Sequence, residues 1–150
     1  FSLVAKILQN LAALQGTAIN IESGEEPGKI IHEYRPDNHE KLTKAPERPW
    51  YVYPDGAMRI FDSVDATPLF LMTAHEYWRA SGDTAFIENL LPHVRAALLW
   101  LSEYGDSNGD GFIDYCLAPE RAHGGLTTQS WMDSADSVFF EYSGSARATR

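Results

Sequence analysis

An all-α domain is the fold class this sequence predicts, on three observations. Val4, Ile7, Leu8, Leu11 and Leu14 recur at helical spacing and lay one apolar stripe along the first segment. Residues 67–104 carry further helical patterns broken at Gly82-Asp83 and again at Pro92, a helix, tight turn, helix pattern. Between these regions the chain is irregular, and only Lys29 to Arg35 reads as a short strand or extended segment.

Each element has a local cause. The first helix stops at Gly16, which suits a C-terminal cap. Residues 20–29 mix Gly24, Pro27 and Gly28 with acidic side chains and predict a solvated loop. From Pro36 to Asp62 the chain is rich in Pro, Gly, Asp and aromatics without a sustained period, predicting a long ordered loop with a hairpin turn at Pro54-Asp55-Gly56. Loops of that length inside a compact domain tend to be functional. Thr67-Pro68 supplies an N-cap and a first-turn proline, after which Leu69, Leu71, Met72, His75, Tyr77 and Trp78 mark a mostly buried helix ending before Gly82. Asp83 caps a short helix over 84–91, and Pro92 restarts the chain for a helix through Val94, Ala97, Leu98, Leu101 and Tyr104, closed by Gly105. Repeated αα-hairpins with loops gathered at one end are the units of an α/α barrel.

Composition narrows the chemistry. With 150 residues, 44% hydrophobic and 12% aromatic, the chain can bury a real core. A formal net charge of -9 and a pI near 4.9 repel phosphate backbones and anionic bilayers, so neither nucleic acid nor membrane is an expected partner. A neutral polar ligand such as an oligosaccharide or polysaccharide fits better. Cys116 has no intramolecular partner and reads as a small buried residue, and the five histidines lack zinc spacing. No leader pattern opens the chain, which makes the cytoplasm the expected location, with a signal sequence further upstream left open.

Two segments carry chemistry. Gln129-Ser130-Trp131-Met132-Asp133-Ser134-Ala135-Asp136 sets carboxylates beside an indole, away from basic side chains. An indole face stacks on the apolar side of a pyranose, and an Asp in a partly dry site keeps its proton long enough to act as a general acid. The same Asp133 is also a good N-cap for a helix running into Val138-Phe139-Phe140. In the second segment, Asp106, Asn108, Asp110 and Asp114 put oxygen donors at positions one, three, five and nine of an EF-hand-like loop. Gly111 stands at position six, the Phe112 carbonyl at seven, and Leu117 where the usual Glu would stand. The donor set predicts a structural Ca²⁺, with a metal-free Asx-turn loop as the other reading. Asp65 is a candidate hydroxyl-binding carboxylate or a helix cap. Trp50, with Tyr51 and Tyr53, either lines a sugar subsite or anchors the long loop to the core.

The Trp-Met-Asp step, the string Phe61-Asp62-Ser63-Val64-Asp65-Ala66-Thr67-Pro68-Leu69-Phe70-Leu71, the 105–115 loop and Gly124-Gly125-Leu126 resemble, in the same order, segments of glycogen debranching enzymes and bacterial amylo-α-1,6-glucosidase-like proteins. Those glycoside hydrolases are built on an (α/α)6 barrel. The resemblance implies Asp133 as general acid, Trp131 shaping the sugar site, and Asp136 as the family's second Asp, with Ala135 where members often carry Gly. It also implies an inverting mechanism, in which a second carboxylate roughly 6.5–9.5 Å from the acid activates water. Twelve helices of about 11 residues with connections of about 5 need on the order of 190 residues. The expectation is therefore an incomplete internal fragment of four or five helices. The catalytic base would lie after Arg150 and a substrate-gripping Arg-Asp pair before Phe1, and such a fragment would be inactive alone. Other (α/α)6 hydrolases (trehalase, glucoamylase, α-glucosidase, α-L-rhamnosidase) share these features. A non-catalytic calcium- or carbohydrate-binding helical module is the reading from a different class.

Overall fold

The computed structural model describes residues 1–131. In chain order these form α1 (Ser2–Ala13), β1 (Glu33–Arg35), α2 (Glu40–Thr43), β2 (Met58–Ile60), α3 (Ala66–Ser81) and α4 (Thr84–Glu103). The described part is mostly helical, four helices with one two-stranded sheet. None of these helices is long and apolar enough to cross a membrane.

The three long helices pack on one another, through faces whose buried residues overlap the predicted stripes only at Leu8, Tyr77 and Ala97. Leu8 and Ala12 of α1, Phe70, Ala74 and Tyr77 of α3, and Leu90 and Ala97 of α4 form one buried cluster, joined by Ile30 from the loop that follows α1. The α3–α4 connection is the tight turn that Gly82-Asp83 predicts. Gly82 takes the left-handed conformation at φ 67° and donates to the Trp78 carbonyl, while Asp83 Oδ1 accepts the Phe86 N–H at 3.1 Å.

Four local expectations are corrected. Thr84–Glu103 is one continuous helix with Pro92 inside it, because Leu90, Ala97 and Trp100 share a buried stripe across the proline and packing outweighs the lost N–H. Gly16 is not a left-handed cap: α1 ends at Ala13 with Leu14 at φ -105°, and Gly16 serves close approach, its N–H donating to the Lys29 carbonyl at 2.9 Å. Helix α3 is buried along Thr67, Phe70, Ala74 and Tyr77 only, leaving Leu69, Met72 and Trp78 exposed. Residues 20–29 are no solvated loop, since Ser23 and Lys29 are buried and Gly28 lies against the Ala96 backbone.

Thr67 does not cap α3 either. Asp65 holds that position, Ser63 Oγ accepts the Ala66 N–H at 3.2 Å, and fully buried Thr67 accepts the Ile30 N–H on its Oγ1 at 2.9 Å. That bond ties the loop after α1 to the start of α3. Thr67→Val, which keeps the shape but strands a buried N–H, is expected to cost about 1–3 kcal/mol in a urea melt, whereas Thr67→Ser stays close to wild type.

Strands β1 and β2 pair antiparallel, Glu33 opposite Ile60 and Arg35 opposite Met58, closing the base of the long excursion over 36–57. The turn just before β2 forms as the Pro-Asp-Gly signal predicts, with Gly56 at φ 85° and the Tyr53 N–H bonded to the Ala57 carbonyl at 2.9 Å. Arg59 grips Asp55 through two hydrogen bonds of 3.0 and 2.6 Å, which push the Asp55 carboxyl down to about 2.

Candidate functional site

Because α3 and α4 are joined by a short turn, the start of α3 and the end of α4 face the same way. The loops at 20–30, 48–53, 61–65 and 105–131 all meet there. Trp100, 1% exposed near the end of α4, forms the floor. Its indole N–H donates to Glu26 Oε2 at 2.7 Å, and the Lys29 ammonium sits 3.4 Å from the same oxygen and 5.4 Å over the ring. The acidic residues of 20–29 are thus acceptors for particular donors. Glu25 Oε1 takes the Thr17 N–H at 2.9 Å, and Glu25 Oε2 takes the Tyr53 hydroxyl at 2.6 Å. Burial and that carboxylate push the Tyr53 hydroxyl well above its ordinary range, so Tyr53 stays a donor. The Glu22 carboxylate is held below its usual range, first by the His123 imidazole at 2.7 Å and then by the His123 main-chain N–H at 2.9 Å.

The segment 121–131 is fastened at several points. Arg121 and Asp62, 2% and 1% exposed at their side chains, form an ion pair of 2.8 Å. The second guanidinium nitrogen donates to the Gly124 carbonyl at 2.5 Å, and Asp62 Oδ2 accepts the Leu126 N–H at 3.0 Å. Further along, the Val64 N–H donates to the Gln129 carbonyl at 2.9 Å. The long loop joins through the Gly124 N–H on the Pro49 carbonyl at 3.0 Å and an edge-on contact of Tyr51 with His123 at 5.2 Å. A cavity of about 90 Å³ with a mixed lining opens among Ile19, Ile21, Lys29, Asp62, Leu117 and Arg121.

Of the residues singled out from sequence, Asp65 and Trp131 fall on adjacent segments, the Val64–Gln129 bond lying between them. Asp65 Oδ1 accepts from Ser63 Oγ at 2.6 Å, and Trp131 is 78% exposed. Trp50 is half-buried: its main-chain N–H donates to the Leu42 carbonyl at 3.1 Å, and Gly124 lies so close that a Cβ there would meet the indole at 2.9 Å. Tyr53 also reaches Ser23 Oγ at 2.7 Å, which makes it an anchor of the long loop. Asp133 and Asp136 lie outside the described residues.

The 106–114 loop wraps as its glycines predict, with Gly109 at φ 78° and Gly111 at φ 89°. Asp106 Oδ1 accepts from the N–H of Gly109 at 2.7 Å and Asp110 at 3.1 Å, and Oδ2 from that of Gly111 at 2.9 Å. These bonds, that of Gly111 foremost, hold the Asp106 carboxyl below its ordinary value. Asn108 Oδ1 accepts from the Asp110 N–H, Asp110 Oδ1 from the Phe112 N–H, and Asp114 Oδ1 from Ser107 Oγ at 2.7 Å. Asp114 Oδ2 is buried and has no hydrogen-bond partner among the described residues. Among the described residues no three His, Cys, Asp or Glu side chains gather as a metal-holding group. Cys116, just beyond, is exposed rather than buried.

The sequence reading missed Asp62 and Arg121, which are 59 residues apart and share no local pattern. The available signal was Gly124-Gly125: paired glycines outside a turn mark close approach of the backbone, here onto the Trp50 ring and the Arg121 guanidinium. No family model matches the chain, and no curated protein matches it.

Proposed function

We propose that this chain carries the acid side of a glycoside hydrolase site of the amylo-α-1,6-glucosidase type, built on an (α/α)6 barrel of which the described helices are a part. The observation that carries the reading is the juncture at Val64 and Gln129. It sets the segment that leads through Trp131 into Asp133 beside the segment that bears Asp65, with the long loop packed on 121–124. Two stretches that the family resemblance singles out, the one at 61–65 and the one leading to Trp131, thus adjoin at one end of the helices. In this reading Asp133 protonates the glycosidic oxygen, Trp131 stacks on the sugar face and Asp65 accepts sugar hydroxyls. The exposed apolar side chains Leu3 and Ile7 of α1, Leu69 and Met72 of α3, and Leu98 and Leu99 of α4 suit helices flanked by further helices. The test is hydrolysis of α-1,6-branched oligosaccharides by the intact protein, with the anomer of the released sugar followed by NMR. Inverted product supports the reading, and no turnover refutes it.

Ca²⁺ belongs to the same proposal, as a structural ion on the 106–114 loop with no part in bond cleavage. Its chemistry there is to bind hard oxygen donors and stiffen the wrap. Asp106, Asn108 and Asp110, with the Phe112 carbonyl, fit that donor type, and the buried Asp114 Oδ2 is a further acceptor. Millimolar Ca²⁺ is expected to raise the thermal midpoint by several degrees, since Ca²⁺ at a hundredfold its dissociation constant contributes about 2.7 kcal/mol. Asp110→Ala should abolish the shift. A midpoint indifferent to both Ca²⁺ and chelator would leave the loop as an Asx-turn structure only.

A further inference from the structure

We infer that the buried Asp62–Arg121 pair is a positioning pair for this site, fixing the segment that presents Trp131; the assignment to catalysis rests on the hydrolase reading above. Three facts carry it. The pair is nearly sealed from solvent and close, at 2.8 Å. Its remaining hydrogen bonds go mainly to the backbone of the segment in question: Arg121 to the Gly124 carbonyl at 2.5 Å, and Asp62 from the Leu126 N–H at 3.0 Å. Its surroundings are cut to fit, since a Cβ on Gly24 would overlap Asp62 Oδ1 and one on Gly125 would lie 2.5 Å from the guanidinium carbon.

A guanidinium is suited to this task because its planar fork serves a carboxylate and a carbonyl at once, which an ammonium on a flexible stem cannot do with the same geometry. The carboxylate likewise uses both oxygens, one on the cation and one on an N–H three residues before Gln129. The pair therefore locks 124–126 to the stretch just before α3, and the Val64–Gln129 bond continues the lock toward Trp131. Both side chains are nearly sealed from solvent. Their effect on the reaction passes through the placement of Trp131, where a displacement of about 1 Å is enough to cost two orders of magnitude in rate.

The experiment compares Asp62→Asn, Arg121→Lys and Gly125→Ala in the intact protein. Asp62→Asn keeps an acceptor for Leu126 but leaves the guanidinium without its counter-charge, and it endangers folding. Gly125→Ala keeps both charges and only displaces the guanidinium, so it tests the same idea if the first variant fails to fold. Amide hydrogen exchange is read by peptide alongside kcat and KM on an α-1,6-branched oligosaccharide. We expect exchange at least about tenfold faster over 62–64 and 121–131, with α3 and α4 unchanged, and kcat lowered about tenfold or more while KM stays within about threefold. Unchanged exchange over 121–131, or loss of protection spread evenly through the helices, would overturn the clamp. Faster exchange with wild-type kcat and KM would overturn its role in positioning. If the wild type turns over no glucoside, the hydrolase reading fails and takes the catalytic role with it, while the exchange data still decide whether the pair fixes the segment.

Discussion

Asp133→Asn in the intact protein is expected to lower turnover of α-1,6-branched oligosaccharides by about a hundredfold or more, the usual contribution of a general acid, with the product of the residual reaction still inverted. The substitution separates the two roles the sequence allows at this position. Asn is as good an N-cap as Asp, so a capping residue would lose neither stability nor rate on this exchange. An acid loses its proton donor while the shape is kept. Asp133→Ala adds the converse: as a cap it would cost about 0.5–2 kcal/mol in a thermal melt whatever happens to activity. Asp136→Asn and Asp65→Asn complete the set. Asp65, with Oδ1 already holding Ser63, is expected to act mainly on KM, because a hydroxyl-binding carboxylate contributes to ground state and transition state alike. Unchanged turnover in Asp133→Asn would move the search for the acid to Asp136 or Asp65.

The sequence foretold the structure wherever one residue's chemistry is decided by its near neighbours. The α1 helix, the Gly82-Asp83 turn, the Asp83 cap and the wrap of Gly109 and Gly111 all depend on spacing of three to five residues, and all are present. Misreadings arose where a distant partner decides. Pro92 is a helix breaker in isolation, yet α4 runs through it because the buried stripe on both sides belongs to one face. Residues 20–29 are polar, and polarity was equated with solvation. Their carboxylates instead satisfy an indole N–H, a phenol and main-chain N–H groups 8 to 101 residues away. Thr67 reads as a cap from its neighbours and is spent on Ile30, 37 residues back. In the candidate site the same division holds. Asp65 and Trp131 were legible as residue types suited to sugars, whereas the ion pair that joins their segments was not, since nothing local to Asp62 calls for Arg121.

Gly28→Ala is expected to be among the most destabilising single changes in the chain, with a loss of about 3 kcal/mol or more and a thermal midpoint lower by roughly 6–12 °C. Two costs coincide. At φ 89° a side chain is strained by about 1–2 kcal/mol before any contact is considered. The new Cβ would also overlap the Ala96 carbonyl oxygen and come within 3.2 Å of the Trp100 Cβ, neither of which can rotate away. Retreat of the loop is blocked from the other side. The Gly28 N–H is bonded to the Gly16 carbonyl at 2.8 Å, and its own carbonyl accepts from Gln15 Nε2 at 2.9 Å. Gln15 in turn donates to the His93 carbonyl at 3.0 Å and pairs with its imidazole at 2.8 Å, so a shift at Gly28 pulls on the end of α1 and the middle of α4 together. Gly82→Ala is the control, since it has a similar φ of 67° with nothing within 4 Å, and it should show the conformational cost alone. Equal losses in the two variants would mean that the loop is not seated on α4. A clear excess at Gly28 would establish that the floor of the site, with Glu26 and Lys29 held on Trp100, is set by this one close approach of backbone to helix.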